Sequence, residues 1–207
     1  MQLTSFWPPR RTLDRARAEL YRRGNADRPW VGRDAVKLLD DLVKPADRCL
    51  EWGSGSSTVW LSRKAGTVLS AEHDPVWFER VNAELQREGL SRGSVRLLST
   101  APVAEPNASP YVRVIDEFGE GELDFCFVDG EHRAPCALAA VPKLSCGGVL
   151  VIDDVHSRLD HPTTSAGSRE GRGPTDGEWA RFTDLVSGWR HVWTSDGFSD
   201  TAFWIKP

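Results

Sequence analysis

Five short apolar runs alternate with stretches of helical periodicity, and this alternation constrains the fold more than any other feature of the chain. The runs are RCLEW (48–52), TVLSAE (67–72), SVRLLS (94–99), LDFCFVD (123–129) and GVLVIDD (148–154). Runs this short and this uniformly apolar suit strands covered on both faces. Between them lie helix candidates at 57–65, 75–89 and 134–144. Parallel neighbours need crossover connections, so the repetition predicts an α/β fold, a doubly wound, mostly parallel sheet with helices on both faces. Two final runs, RHVWTS (190–195) and TAFWIK (201–206), are joined by turn residues alone and so predict an antiparallel hairpin.

Two amphipathic helices are expected ahead of the sheet. One covers 12–23, with Leu13, Ala16 and Leu20 on one face, and the other covers 32–43, closed by Pro45. Segments 101–122 and 157–177 lack periodicity and read as long loops, the second either a substrate lid or a floppy insertion. At 207 residues the chain fits one domain. It has no apolar run near the length of a membrane span and no secretory leader, so a cytoplasmic location with no membrane partner is expected. A net charge of −4, with arginines spread among acids, argues against nucleic acid as a partner. Cys49, Cys126, Cys136 and Cys146 lack C-x-x-C spacing and read as packed thiols. The nine tryptophans suit core and interface packing better than a sugar- or aromatic-binding surface.

The segment Glu51-Trp52-Gly53-Ser54-Gly55-Ser56-Ser57-Thr58 directly follows the first strand and opens a helix. Glycines there allow a sharp turn and close ligand approach, while free amides at the helix start attract polar groups. Glu72 ends the second strand 19 positions after Gly53, where an adenosine cofactor's ribose hydroxyls would find a carboxylate. Thr58 stands where a dinucleotide motif has its third glycine, and no basic residue serves the turn. Glu51 suits the amino group of a bound S-adenosylmethionine (SAM) and is badly placed beside a pyrophosphate. A nicotinamide oxidoreductase is therefore disfavoured.

With LEWGSGSST, SAEHD, FVDGEHR, GGVLVIDD and the final TAFWIK in view, the chain resembles a class I SAM-dependent methyltransferase over residues 30–207. The resemblance implies a Rossmann-like seven-stranded sheet ending in an antiparallel hairpin. It places Glu51, Gly53 and Gly55 at the methionine end, Glu72 at the ribose and Thr100 or Ala101 near the adenine, with Ser54, Thr58, His73 and Asp129 also among the cofactor-binding residues. Residues 1–44 would then be a helical cap serving the substrate pocket or a homodimer contact, to which Trp7 could add, and 45–207 the SAM-binding domain.

Asp129 ends the fourth strand, and Asp153 and Asp154 end the fifth. Carboxyl ends of neighbouring parallel strands flank one crevice, so the three carboxylates can converge and repel. A hard divalent cation such as Mg2+ would resolve that repulsion. The pattern resembles magnesium-dependent O-methyltransferases of the catechol and macrolide-sugar types. That likeness implies a metal on Asp129, Asp153 and Asp154, His132 as the base for a small-molecule hydroxyl, and Asp129 as a second catalytic group. Metal-free O- or N-methylation of a small molecule, with Asp129 touching the methionine moiety or the substrate, and a non-catalytic SAM-binding subunit stay open. His156 and His161 are rival bases, and Arg133 and Arg158 read as solvated charges.

Overall fold

The computed structural model describes residues 9–207. Its strands are β1 (Arg48–Trp52), β2 (Thr67–Glu72), β3 (Gly93–Leu97), β4 (Leu123–Val128), β5 (Leu144–Ile152), β6 (Arg190–Ser195) and β7 (Asp200–Ile205). They form one sheet in the order β3-β2-β1-β4-β5-β7-β6. The first five pair in parallel, while β7 runs antiparallel to both β5 and β6. The expected doubly wound sheet and closing hairpin are both present. The chain winds outward from β1 to β3 and returns to β4 on the other side of β1, so a crevice opens beyond the carboxyl ends of β1 and β4.

Side-chain alternation along the strands splits the core in two. Leu50, Trp52, Cys126, Val128, Leu150 and Ile152 face α6 (Arg133–Lys143) and α7 (Gly177–Leu185). Cys49, Phe125, Phe127, Val151 and Phe203 face α2 (Arg33–Leu42) and α3 (Ser56–Lys64). A smaller cluster joins Val59 to Val81 and Leu85 of α4 (Pro75–Arg87) and to Val95. Phe125, Phe127 and Phe203 are fully buried, each worth about 1.5–3 kcal/mol over an exposed side chain. Cys49, Cys126 and Cys136 pack as expected, whereas Cys146 is exposed, in the outer part of β5 beside Gly147.

Several expectations need correction. Helix α1 (Pro9–Gly24) forms, but Leu13 and Leu20 are exposed and the helix buries Ala18 instead. The segment 101–122 is no open loop, because it holds α5 (Pro110–Arg113) between short 3-10 turns and buries Tyr111, Val112, Val114 and Ile115. Helix α7 was not anticipated in the sequence at all. Trp7 lies outside the described residues. Among those described, no helix is long and apolar enough to cross a membrane.

Candidate active site

The turn after β1 is built around Gly53, whose φ of +94° favours glycine. A Cβ at that position would also lie 2.8 Å from the Asp129 carbonyl, so the ends of β1 and β4 approach more closely than a side chain allows. The Gly53 amide donates to the Ala71 carbonyl at 2.9 Å, keeping the turn registered on β2. Beneath it Glu51 is wholly buried. Its Oε2 accepts from the Thr58 hydroxyl at 2.5 Å and from Ser70, while its Oε1 has no partner. Burial pushes the Glu51 carboxyl up to about 7 against the hydroxyls that lower it.

Glu72 binds two loops together. One oxygen accepts from the Ser54 amide (2.9 Å) and hydroxyl (2.7 Å), the other from the His73 and Asp74 amides (2.7 and 2.8 Å). A cleft of about 840 Å³ opens above these groups. Gly53, Ser54, Gly55, Glu72, His73 and Asp129 line it, with Trp77 of α4 and Trp30 ahead of α2 at its sides. Of the residues expected to hold the cofactor, Glu51 and Thr58 lie under the turn and Thr100 lies off the cleft. The Thr100 carbonyl instead meets His132 Nε2 at 3.0 Å.

The three aspartates do converge, around an arginine. Arg133 opens α6, and its guanidinium donates to Asp129 Oδ1 (3.0 Å), to the carbonyls of Gly130 (3.0 Å) and Asp153 (2.5 Å), and lies 3.5 Å from Asp154 Oδ2. Asp153 Oδ1 accepts from Thr201 and Asp154 Oδ1 from Ser199, each at 2.5 Å. Burial raises Asp129 to about 6, opposed by Arg133 and reinforced by Asp154. Burial and the neighbouring Asp129 and Asp154 hold Asp153 well above the usual carboxylate range. Among the described residues no group of three His, Cys, Asp or Glu could hold a metal ion. The expected ligand set Asp129, Asp153 and Asp154 therefore does not fit a divalent ion, because a guanidinium stands between its members. Arg133 is likewise no solvated charge.

A second cleft, of about 850 Å³, shares Gly130, Glu131 and Arg133 with the first. His132, Asp154, His156, Arg158, Trp179 and Phe198 also line it. Phe198 sits under Arg15 and Arg22 of α1, whose guanidinium carbons are 5.7 and 5.5 Å from the ring centroid, so the N-terminal helix reaches its rim. The His132 bond to a carbonyl requires a proton on Nε2, which leaves Nδ1 as the accepting nitrogen. His156 is arranged the other way: its Nδ1 accepts the Asp200 amide at 3.3 Å, so in the neutral ring Nε2 carries the proton and no nitrogen is free to accept another. His161 stacks on Trp193 with centroids 4.1 Å apart and lines neither cleft. Sequence reasoning missed Trp179 and Phe198. The signal for the former was Asp176 ahead of Trp179, Phe182 and Val186, a capped helix with apolar three- and four-residue spacing.

A family model described as a methyltransferase domain matches residues 50–155. Among curated proteins no relative matches. The fold is similar to that of an O-methyltransferase from Bacillus cereus in complex with SAH, at 18% identity and a TM-score of 0.59, over 99% of this chain and 94% of that one. It is similar as well to a methyltransferase from Geobacter sulfurreducens, at 14% identity and a TM-score of 0.56 over 99% and 92% of the two chains. An rRNA methylase from Streptococcus thermophilus aligns at 11% identity and a TM-score of 0.56 over 85% and 98%. At these identities the likeness is one of fold.

Proposed function

The chain belongs to the methyltransferase-domain family and is a class I SAM-dependent methyltransferase; from that premise we propose that it methylates a hydroxyl of a small molecule held in the second cleft. The observation that carries this reading is the common wall: Gly130, Glu131 and Arg133 border both clefts, so a donor in one and an acceptor in the other meet across a single short segment. Both volumes fall in the usual range for small-molecule sites, roughly 300–1,000 Å³.

The first cleft suits SAM. Its glycine cradle admits a ligand against backbone, and the orphaned Glu51 oxygen lies buried beneath that turn. The Ser54 and Gly55 amides are taken up by Glu72 and the Thr58 hydroxyl, so the amides that open α3 at Ser56 and Ser57, on the lining of the cleft, would meet the carboxylate of the methionine moiety. Glu72 would hold the ribose hydroxyls. When bound, SAM supplies an electrophilic methyl group on a sulfonium. Asp129, at the edge of that cleft, presents negative charge toward such a cation.

In the second cleft Trp179 and Phe198 offer apolar walls, while His132 takes the hydroxyl proton at Nδ1. A built-in base favours a hydroxyl acceptor, which must lose a proton to react, and the Bacillus cereus neighbour's description as an O-methyltransferase agrees with that choice. Calorimetry tests the reading. The protein should bind SAH, and His132→Gln should keep SAH affinity within about threefold while lowering turnover of an accepted hydroxyl by about 100-fold or more. Failure to bind SAH would end the proposal.

A further inference from the structure

An arginine at the first position of a helix is electrostatically out of place. The amide ends there carry partial positive charge, which favours acids and disfavours cations. Arg133 nevertheless opens α6, turned inward with its side chain about four-fifths buried. The carboxylates account for it. Asp129, Asp153 and Asp154 stand at the ends of adjacent strands and cannot all ionise together without a positive charge among them.

A divalent cation in that role needs six or more oxygens at about 2.0–2.6 Å. The guanidinium already points donors at Asp129, at the Gly130 and Asp153 carbonyls and toward Asp154, while Thr201 and Ser199 hold one oxygen each of Asp153 and Asp154. A second observation is independent of these bonds. His132 and Asp154, at φ of 49° and 55°, are the two non-glycine residues with left-handed backbone among those described. One directly precedes Arg133, and the other carries a carboxylate that faces it. Backbone strain is therefore concentrated on both sides of this contact.

We infer that Arg133 is a built-in cation that takes the place of a divalent metal, so that the site is assembled and methyl transfer proceeds without one. The catalytic part rests on the function proposed above; the assembly part does not. In the transfer the acceptor O–H gives its proton to His132, the O–CH3 bond forms as the S–CH3 bond breaks, and that electron pair stays on sulfur. Arg133 makes and breaks no bond. It holds Asp129 and Asp154 in place and lends fixed positive charge to the wall where the acceptor oxygen becomes anionic.

The full chain is titrated with Mn2+, with free ion followed by electron paramagnetic resonance, alone and with saturating SAH. Free Mn2+ should track added Mn2+ in both cases. In parallel, thermal unfolding is compared in EDTA and in millimolar Mn2+ for the wild type, Arg133→Lys and Arg133→Ser. The wild type and Arg133→Lys should respond alike to both conditions. Arg133→Ser should melt lower in EDTA by about 5 °C or more and recover part of that in Mn2+, since the exposed carboxylates then need an outside cation. Should Arg133→Ser fail to fold, the wild-type titration and Arg133→Lys still decide. A stoichiometric Mn2+ site in the wild type that is weakened by Asp154→Asn overturns the inference. So does an Arg133→Ser protein of unchanged stability with no response to Mn2+, or wild-type turnover that EDTA abolishes and Mg2+ restores. Absence of SAH binding would sink the proposed function and leave the Mn2+ result standing on its own.

Discussion

Glu72 shows how one side chain serves both fold and ligand. A carboxylate offers about four acceptor sites, and the amides of Ser54, His73 and Asp74 with the Ser54 hydroxyl take all of them. Ribose hydroxyls can bind only by displacing one donor, and the rotatable Ser54 hydroxyl is the one that yields most cheaply. Ser54→Ala should therefore keep SAH affinity within about threefold, whereas Glu72→Gln should weaken it about tenfold or more, the cost of charge-assisted bonds lost. Equal losses in the two variants, measured by calorimetry, would contradict this account. Glu51 makes a prediction about pH. Its carboxyl titrates near 7 in the folded chain against 4.5 when unperturbed. Below 4.5 both states are protonated and the residue is neutral to stability. Between 4.5 and 7 the unfolded chain ionises first, so stability falls as pH rises, and above 7 the penalty stays constant, on the order of 3 kcal/mol at most. Glu51→Gln should flatten melting temperature against pH within that window, and an unchanged slope would refute the assignment. Roles at this scale were partly legible. Glu72 and the glycines announce themselves by spacing along the chain. The place of Arg133 does not, because an arginine beside a histidine at a helix start looks like any solvated charge until β4 and β5 are known to lie side by side.

Elements carry a different kind of information. Strands β1, β2, β4 and the second half of β5 could be read directly, since burial on both faces leaves a short, largely apolar run. Strand β3, at the edge of the sheet, buries Val95 alone and was legible only from its place in the alternation. The segment 101–122 could not be read so. Its apolar residues come in short turns without a period, yet Tyr111 locks to the sheet through its carbonyl, which accepts from Trp52 Nε1 at 2.9 Å. Helix α7 escaped notice because its nine residues follow a long glycine-bearing stretch. Its start depends on Asp176, whose Oδ1 accepts from the Glu178 and Trp179 amides at 3.1 and 3.0 Å. Asp176→Ala should cost about 1 kcal/mol in chemical denaturation, as loss of a helix cap does. Because Trp179 sits in that first turn and walls the second cleft, acceptor KM should rise more than SAH affinity falls. At the turn after β1, Gly53→Ala should abolish SAH binding, since the added methyl meets the Asp129 carbonyl and the residue keeps its left-handed backbone. Normal binding by that variant would show that the two strand ends can part.

At the scale of the whole molecule, the order β3-β2-β1-β4-β5-β7-β6 gathers the site's carboxylates at the carboxyl ends of its parallel strands. Glu51 and Glu72 come from one half of the winding, and Asp129, Asp153 and Asp154 from the other. The approximate site was legible because strand ends in a parallel sheet all face one crevice, a rule that needs only the element order. Its inner arrangement was not, because it depends on the return of β7 beside β5, which brings Thr201 and Ser199 against the aspartates. The small negative net charge, unremarkable as a total, includes acids that are neutralised internally by an arginine.

The wall formed by Gly130, Glu131 and Arg133 has a thermodynamic consequence. Two ligands that press on the same residues from opposite sides are linked, and linkage is symmetric: whatever factor SAH imposes on an acceptor's dissociation constant, the acceptor must impose on that of SAH. Paired titrations, each ligand measured with and without the other, should give one shared factor different from unity. A factor of one would mean that the wall is rigid enough to keep its two sides ignorant of each other.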